Sequence, residues 1–379
     1  MTTDPTFQIQ GWCPGALRPM LSGDGLVVRV RPPAGRLTPA QAAGIAQAAQ
    51  AFGNGLIDLS ARGNVQLRGV TNASHPDLIA ALSGLGLIDA DPAAEQRRNI
   101  LVTPFADART LALAAALQQA LAQMPVLPGK FGFAVDTGPA PVLAGVAADL
   151  RLERAADGRV LMRCDGAALG APVEDAAADA VALAQWFLAA GGVTDGRGRM
   201  AALIARGAVP PGRLAGTVAP ADATPAPLPG LRPEGALLGF AFGQMQADTL
   251  TALAALGPLR VTPWRMLLVE GLRHLPDLPG LITDPQDPML RVEACSGAPA
   301  CLQGLAPVRA LARRLAPQVP IGRLLHVSGC AKGCAHPGPA DVTLVATRAG
   351  FDLIRNGGAA EAPALQGLRA EAIDLKGLF

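Results

Sequence analysis

The feature that most restricts the fold is a series of strand, helix, strand, turn and strand that occurs twice along the chain. The first copy has strands at 26–31, 56–59 and 65–67 and a helix at 39–52. The second copy has strands at 236–242, 259–263 and 267–269 and a helix at 247–256. Thr38 followed by Pro39 is a typical start of a helix. Because the copies align when Leu59 is set against Val261, the sequence predicts an internal duplication.

Each copy is followed by a segment that contains a predicted hairpin. The first hairpin has strands at 147–152 and 160–163, and the second has strands at 340–345 and 351–354. Between the two copies, residues 209–234 contain seven prolines in 26 residues. A stretch so rich in proline is typical of a linker. We therefore expect two repeats, each extended by a hairpin segment and joined through this linker.

The composition restricts the partners and the cellular compartment. Half of the 379 residues are hydrophobic and 16% are charged, so the chain can bury a large core. A net charge of +2 and an aromatic content of 3% speak against a nucleic-acid partner. The first residues lack a basic region followed by an apolar run, and the most apolar helical stretch, 176–193, is mostly alanine and holds Asp179. We expect a cytoplasmic protein with no membrane partner and with reduced cysteines.

The strongest chemical signal is a set of four cysteines with the spacing C-x(5)-C-x(28)-C-x(3)-C. They are Cys295, Cys301, Cys330 and Cys334. Four thiolates bind either zinc or an iron–sulfur cluster, but the first gap is wider than that of a zinc knuckle. The flanking residues are small, which lets backbone amides approach a bulky four-iron cluster. The pattern favours a 4Fe–4S cluster, and zinc or buried structural cysteines are the alternatives.

Two strands of the first copy carry polar side chains at every second position. On the first strand, Arg29 and Arg31 share one face. Four polar residues share one face of a later strand: Arg62, Asn64, Gln66 and Arg68. Such a face can simply be solvated. Since arginine pairs bidentately with carboxylates, two neighbouring strands with this pattern predict a surface that binds a polycarboxylate ligand.

The cysteine spacing, the hairpin at 341–354 and the duplicated half resemble the siroheme-dependent sulfite and nitrite reductase superfamily. Two segments, 12–20 (WCPGALRPM) and 326–337 (HVSGCAKGCAHP), resemble its precorrin-3B synthase branch. The resemblance implies an α+β fold, namely a duplicated nitrite/sulfite reductase-like fold with pseudo-twofold symmetry. The implied parts are ferredoxin-like half-domains at 1–90 and 235–288, α/β lobes at 91–208 and 289–379, and the proline-rich linker at 209–234. The C-terminal lobe is expected to carry the 4Fe–4S cluster.

The resemblance also implies residues that bind a tetrapyrrole. Arg62 matches the arginine of the Thr-x-Arg-Gln motif of the reductases, which reads Ser-Ala-Arg-Gly here. The run Arg97, Arg98 and Asn99 matches an Arg-Asn pair that contacts the carboxylates of the ring. With the polar strand faces, the expected substrate-binding set is therefore Arg29, Arg31, Arg62, Asn64, Gln66, Arg68, Arg97, Arg98 and Asn99.

Two lysines are the expected catalytic residues, which would orient the oxygen or the reacting acetate. Lys130 aligns with the first lysine of the Lys-x-Lys motif of the reductases, although a plain surface lysine is the alternative. Lys332 lies between the last two cysteines, where the reductases more often have asparagine. Gly132 replaces the second lysine with which the reductases hold a small oxyanion. This loss argues against six-electron reduction of sulfite or nitrite.

The activity that the resemblance implies is an oxygen-dependent monooxygenation. Precorrin-3A would be hydroxylated by dioxygen at the bridging carbon next to ring A, with a lactone formed to the ring A acetate, in aerobic cobalamin biosynthesis. Besides the cluster, the reaction would use a second, mononuclear iron, whose ligands the sequence does not identify. Electrons would come from NADH through a partner reductase or from ferredoxin. A siroheme-dependent sulfite or nitrite reductase and a non-catalytic iron–sulfur carrier of tetrapyrroles are the alternatives.

Overall fold

The computed structural model describes residues 14–379. Trp12 and Cys13, which belong to the segment 12–20, lie outside the described residues. Within the described range, no helix is long and apolar enough to cross a membrane. The helices are α1 (Pro39–Phe52), α2 (His75–Gly84), α3 (Pro92–Arg97), α4 (Ala108–Ala120), α5 (Ala176–Ala189), α6 (Met200–Ala205), α7 (Ala247–Ala254) and α8 (Arg309–Leu315).

The first sheet is built mainly from the first copy, and all its neighbouring strands are antiparallel. Its strands are, in spatial order, β1 (Met20–Ser22), β2 (Gly25–Val30), β5 (Val65–Val70), β4 (Leu56–Leu59) and β13 (Gln244–Gln246). α1 contacts this sheet and begins with a capping box, in which the backbone N–H of Gln41 donates to Thr38 and that of Thr38 donates to Gln41. These local signals explain why the sequence predicts the bounds of α1 correctly.

The second sheet repeats this arrangement with strands of the second copy. Its strands are, in spatial order, β11 (Gly230–Arg232), β12 (Gly235–Phe240), β15 (Leu267–Glu270), β14 (Leu259–Val261) and β3 (Arg36–Leu37). A further short strand, β16 (Leu281–Ile282), pairs with the end of β12. α7 takes the place of α1, and the two helices pack against each other.

The two copies exchange a strand. β3 belongs to the first copy but pairs with β14 of the second, and β13 belongs to the second copy but pairs with β4 of the first. A kinked helical turn precedes each exchanged strand and has its central residue at positive φ, 50° at Ala34 and 59° at Phe242. Both sheets share a single hydrophobic core, which includes Val28 and Leu238. The exchange therefore locks the halves together.

Two further sheets have the same order as each other. The third has, in spatial order, β6 (Ile100–Val102), β7 (Phe133–Asp136), β8 (Leu150–Arg154), β9 (Val160–Cys164) and β10 (Ala171–Pro172). The fourth has β17 (Val292–Ala294), β18 (Leu325–Ser328), β19 (Ala340–Thr347), β20 (Gly350–Gly357) and β21 (Leu365–Leu368). In each, the first three strands are parallel and the rest antiparallel. The predicted hairpins are β8–β9 and β19–β20.

The proline-rich segment 209–234 packs against its neighbours. Its Pro220 forms an isolated β-bridge with Ala155, and Val218 forms one with Gly170, at the edge of the third sheet. The segment then ends in β11, which pairs with β12. The predicted boundary between residues 234 and 235 thus falls inside a β-hairpin, because the linker residues supply the edge strand of the second sheet.

Candidate active site

Two equivalent turns shape the centre of the molecule, one after β4 and one after β14. In the first, the Ser60 hydroxyl accepts hydrogen bonds from the backbone N–H groups of Arg62 at 3.3 Å and Asn64 at 3.2 Å. In the second, the Thr262 hydroxyl accepts from Trp264 at 3.3 Å and Met266 at 3.2 Å. Arg62 and Trp264 therefore occupy the same position in the two copies, as the predicted alignment requires.

A cavity of ≈ 370 Å³, partly open to solvent, lies between the first sheet and the C-terminal lobe. Its volume falls in the range of roughly 300–1,000 Å³ that is usual for small-molecule sites. Four of the predicted binding residues line it, together with two of the predicted cluster cysteines: Arg29, Arg62, Gln66, Arg68, Cys295 and Cys334. The fold thus brings together residues of the predicted polar face and the cysteine motif, which lie more than 200 residues apart in the sequence. The prediction of one strand face was wrong for Arg62 and Asn64, which lie in the turn before β5.

The remaining predicted binding residues lie elsewhere. A second cavity of ≈ 240 Å³ shares Arg62 with the first and is also lined by Arg31, Asn64, Arg98 and Asn99. A third cavity of ≈ 150 Å³ is lined by Arg97. The predicted set therefore divides into a group at the cysteine-lined cavity, a group at the adjoining cavity, and Arg97 by itself, with Arg62 at the border of the first two groups.

Several of these side chains are bound to other parts of the protein. Arg98 forms a bidentate pair with Asp89, with both N–O distances at 2.8 Å, and also donates to the backbone carbonyl of Arg31 at 2.7 Å. Asn99 donates to the backbone carbonyl of Phe131 at 2.9 Å. On the first sheet, Arg29 donates to the Gln66 side chain at 2.7 and 3.0 Å. These contacts hold the walls of both cavities in place.

Arg68 is the most deeply buried residue of the set, and its side chain is only 6% exposed. Its guanidinium donates to the Asp24 carboxylate at 2.6 and 3.0 Å. It also donates to the backbone carbonyl of Ala300, next to Cys301, at 2.8 Å. Arg68 therefore fastens the cysteine loop to the first sheet. Its predicted contact with substrate stays a prediction.

The cysteine loops meet because β17 and β18 are parallel neighbours. Cys295 follows β17 and Cys330 follows β18, and the carboxyl ends of parallel strands lie at one edge of a sheet. Burial raises the pKa of the Cys330 and Cys334 thiols, and the neighbouring thiols act in the same direction. The charges of Cys295, Cys301 and Cys330 all raise the pKa of Cys334. The four thiols therefore lie close enough to interact electrostatically.

The surroundings of the thiols fit a multi-iron cluster. The Gly329 amide donates to the Cys295 sulfur at 3.2 Å, a contact that also stabilises a cluster-bound thiolate. A side chain at Gly304 would place its Cβ 2.5 Å from the Ala298 nitrogen, so only glycine fits there. Across residues 14–379, no three His, Cys, Asp or Glu side chains are grouped closely enough for a single metal ion. The four thiols, the amide directed at one sulfur and the closely approaching backbone suit an iron–sulfur cluster.

The two lysines expected to be catalytic are both exposed. Lys130 lies in the turn before β7. Lys332 lies in the loop between Cys330 and Cys334, where its backbone N–H donates to the Cys330 thiol. A Cβ at Gly132 would lie 2.4 Å from the side-chain amide nitrogen of Asn99. At the position of the second lysine of the reductases, a larger residue therefore requires the Asn99 side chain to move.

Sequence reasoning missed three charged residues that line the cysteine-lined cavity: Asp58, Arg265 and Arg309. Arg265 lies in the turn after β14, at the position that Gly63 occupies in the first copy, and keeps a positive φ of 59°. Arg309 is the first residue of α8, and burial lowers its pKa below the ordinary value. Aligning the second turn with Ser60–Asn64 could have drawn attention to Arg265. No local signal marks Arg309 or Asp58.

His326 lies on β18, in the core of the fourth sheet. Its side chain is fully buried, and burial lowers its pKa to about 4. The ring stacks edge-to-face on that of His336, with 5.9 Å between the centroids. Neither ring nitrogen of His326 has a hydrogen-bond partner within residues 14–379. His326 is therefore neutral at pH 7.

Comparisons with known proteins agree with this architecture. Residues 18–85 match the family described as the nitrite/sulfite reductase ferredoxin-like half domain. The structure of the NirA protein of Mycobacterium tuberculosis superposes with a TM-score of 0.60, covering 86% of this chain and 74% of that one at 18% identity. The chain is thus an α+β protein with the nitrite/sulfite reductase-like fold, which confirms this part of the predicted fold class. The cluster in the C-terminal lobe stays a prediction.

A relative with a higher sequence identity identifies a family within this class of fold. A protein of Sinorhizobium sp named precorrin-3B synthase is 31% identical over 92% of this chain and 83% of its own length. The chain belongs to the precorrin-3B synthase family, as segments 12–20 and 326–337 predict.

Proposed function

We propose that this chain hydroxylates precorrin-3A at the bridging carbon next to ring A, with formation of a lactone to the ring A acetate, in aerobic cobalamin biosynthesis. The observation that carries the proposal is the cavity in which arginines of the first sheet face two of the four motif cysteines. It stands beside 31% identity to a precorrin-3B synthase over 92% of the chain. One oxygen atom of dioxygen enters the macrocycle, and the other leaves as water with two electrons and two protons.

The substrate is a macrocycle with a rim of carboxylates, and the cavity offers the matching charge. Its lining within residues 14–379 has five arginines and one carboxylate, Asp58. Arg29 and Arg62 bind acetate and propionate groups through bidentate hydrogen bonds. Arg31 and Asn64 extend this polar wall into the adjoining cavity. The ring then lies against the first sheet, with one edge toward the cysteine loops.

The four cysteines would hold a 4Fe–4S cluster, which supplies single electrons at the edge of the cavity when it is bound. Around it, the Gly329 amide holds the Cys295 sulfur, and glycines at 304 and 329 keep the loops close together. A second, mononuclear iron belongs to the proposal without assigned ligands. The electron donor is NADH through a partner reductase, or ferredoxin, and the protein works in the cytoplasm.

One of the two lysines orients the oxygen or the ring A acetate as the lactone closes. Lys332 lies on the loop that carries Cys330 and Cys334, and Lys130, in the turn before β7, is the alternative for this task. Because Gly132 replaces the second lysine with which the reductases hold a small oxyanion, this site favours a carboxylate-bearing macrocycle over sulfite or nitrite.

The proposal is tested with protein purified without oxygen, supplied with precorrin-3A, a reductant and ¹⁸O₂. The expected product gains one labelled oxygen atom by mass spectrometry, and reactions without dioxygen or without reductant yield none. Absence of product from cluster-loaded protein under these conditions would refute the proposal. Tetrapyrrole absorption bands that survive gel filtration would instead identify a siroheme-dependent reductase.

A further inference from the structure

Three arginines of the cysteine-lined cavity donate hydrogen bonds to the backbone of the cysteine segments. Arg309 donates to the carbonyl of Cys295 itself at 3.2 Å. Arg265 donates to the carbonyl of Ala335, the residue after Cys334, at 2.9 Å. Arg68 donates to the carbonyl of the residue before Cys301, as described above. Three of the four cysteines thus have a cavity arginine bound at or next to their peptide carbonyl.

These arginines come from different parts of the fold. Arg68 lies on β5 in the first sheet, Arg265 lies in the turn before β15, and Arg309 begins α8. Arg265 also pairs with Glu293, two residues before Cys295. One arginine of each half-domain, Arg68 or Arg265, therefore contacts the C-terminal lobe. The same two side chains line the cavity.

Asp58 connects two of the three arginines. Its carboxylate lies 3.6 Å from Nη1 of Arg68 and 3.8 Å from Nη1 of Arg309. Gln244 of the exchanged strand β13 donates to the same carboxylate at 2.9 Å. Arg68 already pairs with Asp24, and Arg265 with Glu293, whereas the ion-pair distance of Arg309 is 3.8 Å, to Asp58. Of the three guanidinium groups, that of Arg309 is therefore the one with which an anion in the cavity can interact most strongly.

We propose that Arg68, Arg265 and Arg309 are positioning residues that couple anion binding in the cavity to the redox state of the cluster. The proposal rests on the proposed function, since it needs the cluster and a polycarboxylate ligand. Reduction adds a negative charge to the cluster, which the nearby guanidinium groups stabilise. A carboxylate in the cavity draws on the same cations. Ligand and electron therefore compete, and the oxidised protein binds the anion more tightly.

Uroporphyrin III, a tetrapyrrole with eight carboxylates, serves as the probe. Its dissociation constant is measured by equilibrium dialysis against the oxidised and the reduced cluster-loaded protein. We expect at least fivefold tighter binding to the oxidised protein, at the lower end of typical coupling between two sites. In Arg309→Gln the ratio should fall below two, and Arg309→Lys, which keeps the charge, should restore part of it.

Arg313→Gln is the matched control. Arg313 lies one helical turn further along α8 and stacks on the same Phe242 ring, 5.1 Å from its centre against 5.5 Å for Arg309. It is exposed, and the control should keep the wild-type ratio. Iron and sulfide are measured in every variant, and the ratio is compared between variants with equal loading. If Arg309→Gln loses the cluster, Arg309→Lys takes its place, and a wild-type ratio in that variant and in Arg313→Gln would overturn the role of Arg309.

Equal affinity of the two redox states in the wild type, or an equal drop of the ratio in both glutamine variants, would overturn the coupling. Neither result would touch the proposed function, which is judged by turnover of precorrin-3A. A wild-type protein that converts precorrin-3A but fails to bind uroporphyrin III in either redox state would likewise overturn the coupling alone.

Discussion

Arg62 borders both cavities that contain predicted binding residues, so its replacement is the sharpest test of the substrate site. Arg62→Ala removes a guanidinium that binds a ring carboxylate. A hydrogen bond to a charged group contributes about 1.5–3 kcal/mol. Converted at 1.4 kcal/mol per factor of ten, this predicts a dissociation constant for uroporphyrin III that is raised roughly 10- to 150-fold.

The matched control for this experiment is Arg97→Ala. Arg97 was predicted to bind the same ligand but lines the third cavity, apart from the cysteine loops. We expect its removal to change the dissociation constant less than twofold in equilibrium dialysis with the oxidised, cluster-loaded protein. An unchanged affinity in Arg62→Ala would refute the assignment of the cavity. Equal losses in both variants would mean that the ligand lies across other surfaces than those proposed.

Three further predictions concern the cluster and the fold. Cys301→Ser should lose bound iron and sulfide, measured by chemical analysis, and turnover with them. Gly132→Ala should lower the free energy of unfolding by about 1–3 kcal/mol in urea, because its Cβ would meet the Asn99 amide at 2.4 Å, whereas Gly138→Ala has open space and should not. His326 is neutral when folded, with a pKa of about 4 against 6.5 in the unfolded chain, so its contribution is full above pH 6.5 and is lost as the pH falls toward 4. His326→Leu should therefore remove about 2 kcal/mol of the stability difference between pH 7 and pH 5 in urea unfolding.

Local signals made much of the fold predictable. The sequence predicts α1 correctly because Thr38 and Gln41 mark its start and Gly53 marks its end. The exchange of β3 and β13 was not predicted, since strands of two and three residues have no period to read. Their positions depend on pairing with β14 and β4, which are more than 180 residues away in sequence.

The residues of the candidate site likewise fall into those that the sequence predicts and those that only the structure shows. The sequence identifies the four cysteines by their spacing, and Arg29, Arg62, Gln66 and Arg68 by the alternation of polar residues. The structure then shows that these four polar residues line the same cavity as Cys295 and Cys334. Arg309 stands alone at the start of a seven-residue helix, and its role is visible only once α8 lies against Cys295. Neither segment has a local sequence pattern that would predict its contact with the other.

The two central turns explain how a duplicated fold acquires a one-sided site. Their backbones agree down to the positive φ, which is 63° at Gly63 and 59° at Arg265. The first copy has glycine at this position and presents the preceding Arg62 to the cavity, whereas the second packs the equivalent Trp264 among apolar residues. A non-glycine residue in this conformation costs about 1–3 kcal/mol. The pairing of Arg265 with Glu293 and the Ala335 carbonyl offsets that strain. Equivalent positions thus serve ligand binding in one copy and attachment of the cysteine lobe in the other.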